Sequence, residues 1–592
     1  MNRPRKVFLI VIFTVCGFTS FGFCSASSFY ITRDGAGSKN GSSLANAAAC
    51  DSTPGVAQAT CAAFNNSANW GSASTQIGPG TVVYVGGDGV TITASSPTGS
   101  SGYFKFLGSG SNGSPIEFYL ETTVSAPVWC CSLSGGAINI NGQSYITIDG
   151  GGTPCGWNTS TNSSEGTCVG SIIATANGDG LANESDTTGI YDTSCSNVEI
   201  RNVGLYNLYV KSNVNVAPTS NAISVFLADV GSIANCLVHD NMMHDDDQLI
   251  VMSPNGSTGG PISIYNNELY NMNQGIIDYS AASITIGTFN IYGNHIHDMS
   301  LWDVNGLGYP YHHDGIYLTN PNGPQTITDL NVYNNIFDGE AQGVDGGPTN
   351  QNCATSWFFL DGNDKITAGY FYNNVVMSTT ACTSTGGGNP LLGWEVASGT
   401  FYIYNNTFAC ASQNAPPGGM MIGESGTTTS NVNAFNNLIV NCGTMDYMDG
   451  SAGPSNPPST GFDYNVYATA ASGGSANLFS YHACCVATLA AWQSVMGQDS
   501  HAHYTSGSAN LGGSYENGPL SPLAGIVPLS NSVAKGAGFN LSALGIAMLN
   551  SDITGALRPT GSAAWDAGAL QYNSGGTSGA PNPPTGLAAQ VQ

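Results

Sequence analysis

A short alternating pattern recurs through the middle of the chain and ends each time in two asparagines or in closely related residues. The clearest copy runs from Ile262 to Leu269, where apolar and polar residues alternate before Asn266 and Asn267. Alternation rich in Ile, Val, Tyr and Phe predicts a short β-strand, and Asn-Asn predicts a turn at its end. Further copies are Leu330 to Phe337, Tyr370 to Val376, Phe401 to Phe408 and Val432 to Ile439, with degenerate copies at Val198 to Leu205, Leu237 to Met243 and Phe289 to Ile296.

The second asparagine of each unit marks the length of one repeat. The markers are Asn241, Asn267, Asn294, Asn335, Asn374, Asn406 and Asn437, at intervals of 26, 27, 41, 39, 32 and 31 residues. The shorter intervals suit single solenoid coils, and the longer ones suit coils that carry loops. No helical periodicity long enough for a βαβ crossover lies between the strands, so the strands are expected to stack by coiling. The pattern predicts an all-β fold, a right-handed parallel β-helix in a single elongated domain with irregular N- and C-terminal caps.

The asparagines have a structural reason to recur. Asparagine tolerates left-handed turn geometry, and its side-chain amide can hydrogen-bond to the same residue one coil away. The markers are therefore expected to form a ladder, and we favour this interpretation over a glycan-binding strip.

The two ends of the chain differ in composition from the repeats. Arg3, Arg5 and Lys6 precede an apolar run from Val7 to Phe23 and a small-residue cleavage site, which predicts a signal peptide rather than a membrane span. The predicted organisation is a signal peptide at 1–26, an N-terminal cap with the first coils at 27–145, parallel β-helix repeats at 146–467, C-terminal coils or a cap at 468–573, and a flexible tail rich in Gly, Ser and Pro at 574–592. The mature chain is expected to be extracellular or at the cell surface, without a transmembrane span.

The chain is strongly acidic, with 37 Asp and Glu against 11 Lys and Arg and a formal net charge of −26. This charge repels nucleic acid and anionic membranes and suits a neutral ligand or a metal cation. The 78 glycines and only 8% charged residues are typical of disorder, but 41% hydrophobic and 10% aromatic residues can bury a substantial core. The chain is therefore expected to fold.

The number of cysteines is consistent with a secreted protein. Removal of Cys16 and Cys24 with the signal peptide leaves an even number of the 16 cysteines, and disulfides are the default in an oxidising compartment. Candidate pairs are Cys50 with Cys61, Cys155 with Cys168 and Cys410 with Cys442, although sequence does not fix the connectivity. A lipid anchor on Cys24 is the weaker alternative to cleavage, because Phe23 is larger than the residue that precedes such anchors.

The repeats resemble those of the pectin-lyase-like β-helix superfamily over residues 146–467. Residues 35–47 resemble the opening segment of many secreted bacterial β-helix proteins. Residues 552–569, with Arg558-Pro559 and Trp565 to Ala569, resemble their closing segment, seen where a surface-anchoring region follows. The resemblance implies the fold but not the activity, because the superfamily contains lyases, hydrolases, epimerases and non-catalytic adhesins.

Six of the 9 histidines fall in one stretch that is also rich in aspartate. They are His239, His244, His295, His297, His312 and His313, near Asp245-Asp246-Asp247, Asp298, Asp303 and Asp314. The third residues after four successive markers are His244, Tyr270, His297 and Asp338, and the fourth are Asp245, Asn271, Asp298 and Gly339. Equivalent residues of a parallel β-helix stack about 4.8 Å apart, so these side chains are expected to form a polar column.

A second column is expected where the next strand starts. Gln248, Gln274, Asp314 and Gln342 align there, preceded by Asp247, Asn273, His313 and Ala341. The segment from Tyr311 to Ile316 resembles the His-x-Asp-Gly-Ile pattern common in the superfamily, which also serves as a plain coil turn. Asp and Asn in turns are usually caps, and His beside Asp is often only a surface pair, so a function is favoured for the cluster rather than for any single member.

Paired carboxylates favour a glycoside hydrolase, in which one acid protonates the leaving oxygen and another carboxylate activates water or attacks carbon. Two coil steps span about 9.6 Å, which suits the wide separation of inverting enzymes. The candidate catalytic residues are Asp245, Asp246, Asp247, His297, Asp298, His313 and Asp314. The candidate substrate-binding residues are His244, Tyr270, Trp302, Tyr309, Tyr311, His312, Asp338 and Glu340. Trp302, Tyr309 and Tyr311 lie in a long insertion and are expected to face the ligand.

Two other functions remain open. A polysaccharide lyase needs a positive group against the substrate carboxylate, but no Lys or Arg lies between Lys211 and Lys365, so calcium held by the Asp cluster would supply the charge. The other is a non-catalytic surface or matrix protein that binds carbohydrate, as an adhesin does. The sequence requires no cofactor, but Asp245, Asp246, Asp247 and Asp298 could hold calcium through oxygen ligands. His244 and His297 could add nitrogen ligands for a transition metal, although the spacing matches no defined metal motif. The expected partner is a polysaccharide or cell-surface glycan, bound by a monomer, and no nucleic acid.

Overall fold

The computed structural model shows a parallel β-helix, which confirms the predicted all-β fold class. The structure describes residues 27–572 except for 97–100, 130–133, 159–160, 179–180, 184, 209–221, 228–230, 232, 257–258, 281–282, 300–312, 321–323, 340–355, 361–363, 379–391, 395–397, 411–417, 423–430, 443, 449–460, 470–477, 482–483 and 514–521. The predicted signal peptide and tail lie outside the described residues, as do Trp302, Tyr309, Tyr311, His312 and Glu340.

Successive coils stack their strands into one sheet of 14 strands and one of 24. The smaller sheet contains, in stacking order, Ala48–Ala49, Ser28–Thr32, Val82–Val85, Ile116–Leu120, Ile146–Asp149, Ser196–Arg201, Ala234–His239, Ile262–Tyr265, Thr285–Tyr292, Thr326–Tyr333, Lys365–Tyr372, Ser398–Tyr404, Asn431–Phe435 and Phe462–Asp463. Every pairing within this sheet is parallel among the residues described, and from Ser28–Thr32 onward the chain advances by one coil between neighbours.

The larger sheet has two rows of strands, which are joined where Met242–Met252 and Glu268–Asp278 belong to both. The first row also contains Ile92–Thr93, Thr123–Ala126, Gly170–Ala174, Val203–Tyr206, His295–Met299, Ile336–Asp338, Val375–Ser378, Thr407–Cys410, Leu438–Val440, Val466–Ala468 and His503–Thr505. The second row also contains Phe104–Lys105, Ile138–Asn139, Thr188–Tyr191, Ile223–Leu227, Asp314–Leu318, Ser356–Leu360, Leu392–Trp394, Gly418–Ile422, Thr444–Met448, Phe479–Tyr481 and Cys484–Val486. A typical coil therefore has three short strands around an apolar interior.

The remaining elements lie outside these stacks. An antiparallel hairpin joins Trp157–Asn158 to Ser163–Ser164. The α-helices are Leu489–Met496 and Pro522–Ile526, and the 3₁₀ helices are Leu44–Asn46, Ser67–Asn69, Ser542–Leu544 and Ala547–Asn550.

The marker asparagines form a continuous, fully buried ladder, as predicted. From Asn241 to Asn437, each Nδ2 donates to Oδ1 of the next marker at 2.9–3.1 Å. The same oxygen accepts the backbone N–H of the preceding marker, and Nδ2 also reaches a backbone carbonyl one coil back. The ladder continues to Asn465 and ends at Asp499, whose Oδ1 lies 3.2 Å from Asn465 Nδ2. The core thus satisfies the marker amides without water.

The two asparagines of a pair have different tasks. The first one takes the left-handed conformation, with φ of 53° at Asn266 and 51–59° at Asn373, Asn405 and Asn436. Their side chains hold the C-terminal segment, because Nδ2 of Asn373, Asn405 and Asn436 donates to the carbonyls of Ser551, Asp566 and Phe539 at 2.8, 3.1 and 2.8 Å. The segment that resembles a closing motif therefore packs along the last coils.

Four disulfides are present among the described residues. Cys50–Cys61, Cys155–Cys168 and Cys410–Cys442 confirm the candidate pairs, and Cys195–Cys236 adds a bridge that the spacing did not indicate. Such bridges are consistent with an oxidising, extracellular compartment.

The second predicted column is correct in part. The register pairs Gln248 with Gln274 and Gln274 with Asp314, as expected. Asp314 is then paired with Ser356, so the predicted alignment of Gln342 with Asp314 is wrong. The coil carries more inserted residues before its next strand than the pattern suggested.

Three buried polar side chains meet at one turn of neighbouring coils. Gln325 Nε2 donates to Asp278 Oδ2 at 2.8 Å and to Asp364 Oδ2 at 3.0 Å. Burial raises the pKa of Asp278 to about 7, and the charge of Asp364 adds to this, while hydrogen bonds from Ser280 and Gln325 oppose it. Asp278 therefore holds its proton more tightly in the folded chain than in the unfolded chain.

Replacement of one ladder residue should destabilise the fold strongly. Asn335→Leu removes the partner of the Asn294 backbone N–H and of the Ile291 carbonyl, both in the interior. Since each buried unsatisfied group costs about 1–3 kcal/mol, the unfolding free energy should fall by about 3 kcal/mol or more. Chemical denaturation measures this loss. Asn331→Ala is the matched control, because its Nδ2 bonds to Asn290 Oδ1 between the same coils but is only half-buried; equal losses in the two variants would contradict the ladder.

Asp278→Asn should flatten the dependence of stability on pH. Because the native carboxyl titrates near 7 and an unfolded Asp near 3.9, the folded state binds more protons between these values, and the unfolding free energy falls as pH rises through that window. The thermal midpoint of the variant should therefore change less than that of the parent between about pH 4.5 and pH 7.5. Asp88→Asn, at an exposed position, is the control, and its thermal midpoint should change with pH as that of the parent does. If the midpoint of D278N also changed with pH as in the parent, Asp278 would not be the source of the pH dependence.

Candidate functional site

The first predicted polar column is present. The register stacks Tyr206, His244, Tyr270, His297 and Asp338 in consecutive coils. The ring centroids are 4.5 Å apart for Tyr206 and His244, 4.4 Å for His244 and Tyr270, and 4.8 Å for Tyr270 and His297. Counting from the marker asparagines thus placed these side chains correctly.

The residues that follow this column form a turn in each coil. Asp245, Asn271, Asp298 and Gly339 all have positive φ, between 51° and 78°. Oδ2 of Asp245 lies 2.6 Å from Nδ1 of His244, and Oδ2 of Asp298 lies 2.8 Å from Nδ1 of His297. In this geometry each aspartate orients the histidine that precedes it.

A second group of polar residues meets where the next strand begins, and we call it the corner cluster. Its members are buried and are Asp247, Gln248, Asn273, Gln274, His313 and Asp314. Asn273 Nδ2 lies 2.6 Å from Asp247 Oδ1, and Gln248 Nε2 lies 2.8 Å from Gln274 Oε1.

Tyr279 follows the strand that contributes Gln274 and lies next to the corner cluster. Its hydroxyl donates to Gln274 Oε1 at 3.3 Å, and its ring packs in an apolar group apart from the main core. Burial raises the pKa of Tyr279, and the charges of Asp247 and Asp314 raise it further. Both carboxylates therefore act on the same phenol.

Asp246 lies apart from this cluster although it is adjacent in sequence. It is paired with Met272, which belongs to the main core, and it is hydrogen-bonded to the Ser224 hydroxyl. Burial raises the pKa of Asp246 well above its usual value. Its carboxyl group thus faces the interior of the coils.

Three further residues could hold a metal ion, and we call them the histidine cluster. Ligand atoms of Glu268, His295 and His297 all lie within 4.8 Å of one another. Burial lowers the pKa of His297, but Asp298 and Glu268 outweigh it and raise that pKa to about 9. Burial and the charge of His297 lower the pKa of His295.

Sequence reasoning placed His297 in the site but missed Glu268 and left His295 without a role. The marker asparagines could have identified both residues, because Glu268 and His295 directly follow the markers Asn267 and Asn294. Alternate residues of a strand share one face, so His295 and His297 point the same way, one coil from Glu268.

Comparisons with known proteins do not identify a family for this chain. No protein-family model matches the chain, and no curated protein matches it. A similar solved structure is the crystal structure of pectate lyase Pel9A, with a TM-score of 0.33 and 14% identity, covering 93% of this chain and 97% of that chain. A likeness of this size carries no argument about activity, so function has to be argued from the site.

Among the residues that the structure describes, no helix is both long and apolar enough to cross a membrane.

Proposed function

We propose that the chain is a secreted polysaccharide hydrolase whose catalytic carboxyl groups are Asp247 and Asp314. The observation that carries the proposal is their position in the corner cluster, two coils apart and on either side of the coil that contributes Gln274 and Tyr279. The register partner of Asp314 two coils back is Gln248, the residue after Asp247, and two coil steps span about 9.6 Å. Inverting glycosidases separate their carboxyl groups by roughly 6.5–9.5 Å to admit water. Inversion of the anomeric carbon is the outcome that this spacing supports.

The neighbours of the two carboxyl groups suggest their roles. Asn273 donates a hydrogen bond to Asp247, which suits a charged carboxylate that activates water. Asp314 pairs in register with Gln274 and is proposed as the acid that protonates the leaving oxygen. His313 precedes it and is proposed to position the same end of the substrate.

The substrate class follows from the charges around the cluster. No Lys or Arg occurs between Lys211 and Lys365, so the stretch that contains the site has no fixed cation to pair with a uronate carboxylate. Gln248, Asn273 and Gln274 provide amide donors and acceptors, which suit sugar hydroxyl groups. We therefore propose a neutral polysaccharide, with the half-buried rings of His244 and Tyr270 as an additional binding face.

The proposed catalytic set is smaller than the set predicted from sequence. Asp246 is omitted because it is bonded to the Ser224 hydroxyl and its register partner Met272 belongs to the main core, away from the corner cluster. Asp245 and Asp298 are omitted because they close turns and bond to the preceding histidines.

Asp247→Asn and Asp314→Asn should each reduce hydrolysis by about 100-fold or more, because general acid–base catalysis contributes factors of that size. The mature protein and both variants are incubated with a panel of neutral and acidic polysaccharides, and released reducing ends are measured. Asp329→Asn, on the 14-stranded sheet of the same coils, is the matched control and should retain full activity.

The products separate this proposal from its competitors. Ultraviolet-absorbing unsaturated products would indicate elimination and contradict hydrolysis. Tight retention of a glycan without any cleavage would favour a non-catalytic binding protein, and parental turnover in both Asn variants would remove these residues from the reaction.

A further inference from the structure

The histidine cluster is assembled by the register of two neighbouring coils. Glu268 is paired with His295, and His297 follows two residues later on the same strand. Nδ1 of His295 lies 4.0 Å and Nε2 of His297 lies 3.7 Å from Oε1 of Glu268. Both separations are too long for a hydrogen bond. They leave room for one ion, because two bonds of about 2.1 Å to a metal span up to about 4.2 Å.

The remaining nitrogen of each histidine is already occupied by a carboxylate. His295 Nε2 lies 2.7 Å from Asp338 Oδ1, and His297 Nδ1 lies 2.8 Å from Asp298 Oδ2. A metal ion that displaces the proton from His297 Nε2 would leave these outer nitrogens protonated, so that the lone pairs of His295 Nδ1 and His297 Nε2 both point toward Glu268. Metal-binding histidines are held in this way by outer carboxylates, which fix the tautomer and the ring orientation.

The two converging nitrogens are buried and lack hydrogen-bond partners. His295 Nδ1 and His297 Nε2 have none among the described residues, and neither has Oε2, the second oxygen of Glu268. The side chains of Glu268, His295 and His297 are 10%, 9% and 16% exposed, respectively. The two ring nitrogens and the Glu268 carboxylate thus lie close together in a water-poor space, where one bound cation would satisfy all three groups.

A segment from an earlier part of the chain covers the cluster. The hairpin that begins at Trp157 is tied by Cys155–Cys168, and the Trp157 backbone N–H donates to the Asn266 carbonyl at 2.8 Å. The Trp157 ring lies 4.0 Å from that of His295. Ser164, on the second strand of the hairpin, contributes to lowering the pKa of Glu268 against the effect of burial.

We propose that Glu268, His295 and His297 bind one divalent transition-metal ion of the zinc class, with Asp338 and Asp298 as the carboxylates that orient the two histidines. Two imidazoles and one carboxylate form a ligand set typical of zinc and its neighbours, whereas calcium prefers oxygen ligands. Asp338, expected from sequence to bind substrate, is in this assignment a positioning residue. The ion would connect two coils beneath the hairpin.

The mature protein is stripped with a chelator and titrated with Zn²⁺ and Co²⁺ alone, using calorimetry and the cobalt absorption spectrum. One equivalent is expected to bind, with Ca²⁺ unable to compete. Glu268→Gln and His297→Gln should weaken binding by about 100-fold or more, and Asp338→Asn by about 10–100-fold. Cobalt should also quench tryptophan emission, and Trp157→Phe should remove most of that quenching.

His244→Gln is the matched control, because His244 lies in the same column and bonds to Asp245 but has no second imidazole beside it. It should bind zinc as the parent does. Circular dichroism of the metal-free variants checks that the coils are intact. Absence of stoichiometric zinc binding in the parent, or an equal loss in H244Q and H297Q, would overturn the site. Binding is measured without substrate, so its failure is distinct from failure of the proposed hydrolase.

Discussion

The structure depends on a hydrogen-bonded column of asparagine side chains that runs through its interior. Each marker amide bonds to the next marker and to a backbone carbonyl one coil back, so a slip of one residue between coils would leave several buried polar groups unpaired. Apolar packing opposes a slip of one residue, which would turn the buried face outward, but it tolerates a slip of two residues more easily, because Ile, Val and Leu exchange places at moderate cost. The ladder therefore sets the register on which both clusters depend.

The two asparagines of each Asn-Asn pair have different roles, one inside the coils and one at their outer surface. The second asparagine is committed to the ladder, while the first one turns the chain and presents its amide outward. In the last coils, these outward amides hold the C-terminal segment, including the buried Arg558, whose Nη2 donates to Asn373 Oδ1 at 2.9 Å. One dipeptide thus specifies the turn, the inter-coil bond and the docking of the end of the fold.

The fold and the first polar column could be predicted because both follow from a local pattern that repeats. Once the markers were identified, the stacking of His244 on Tyr270 and of Tyr270 on His297 required only counting. Gln342 was misaligned because insertions of unequal length separate the first strand of a coil from the next, and no repeating residue marks where they end.

The position of the Trp157 hairpin over the histidine cluster could not be predicted by counting from the markers. The Trp157 hairpin lies more than a hundred residues before Glu268 and His295, and no pattern in its sequence indicates which coil it covers. The interior position of Asp246 was equally hidden, since Asp245, Asp246 and Asp247 look alike in sequence but serve a turn, the core and the corner cluster.

The central claim is that each marker asparagine advances the chain by one coil, and paired cysteines test it directly. Ser263 and Asn290 are register partners on adjacent coils, whereas Ser263 and Thr288 are offset by two residues and Ser263 and Asn331 are two coils apart. Disulfides need Cα atoms within about 4.4–6.8 Å, and neighbouring strands lie about 4.8 Å apart. Mass spectrometric mapping of the oxidised, mature double variants should show the bridge in S263C/N290C and in neither of the other two. A bridge in S263C/T288C or S263C/N331C, with none in S263C/N290C, would contradict the register and the two clusters built on it.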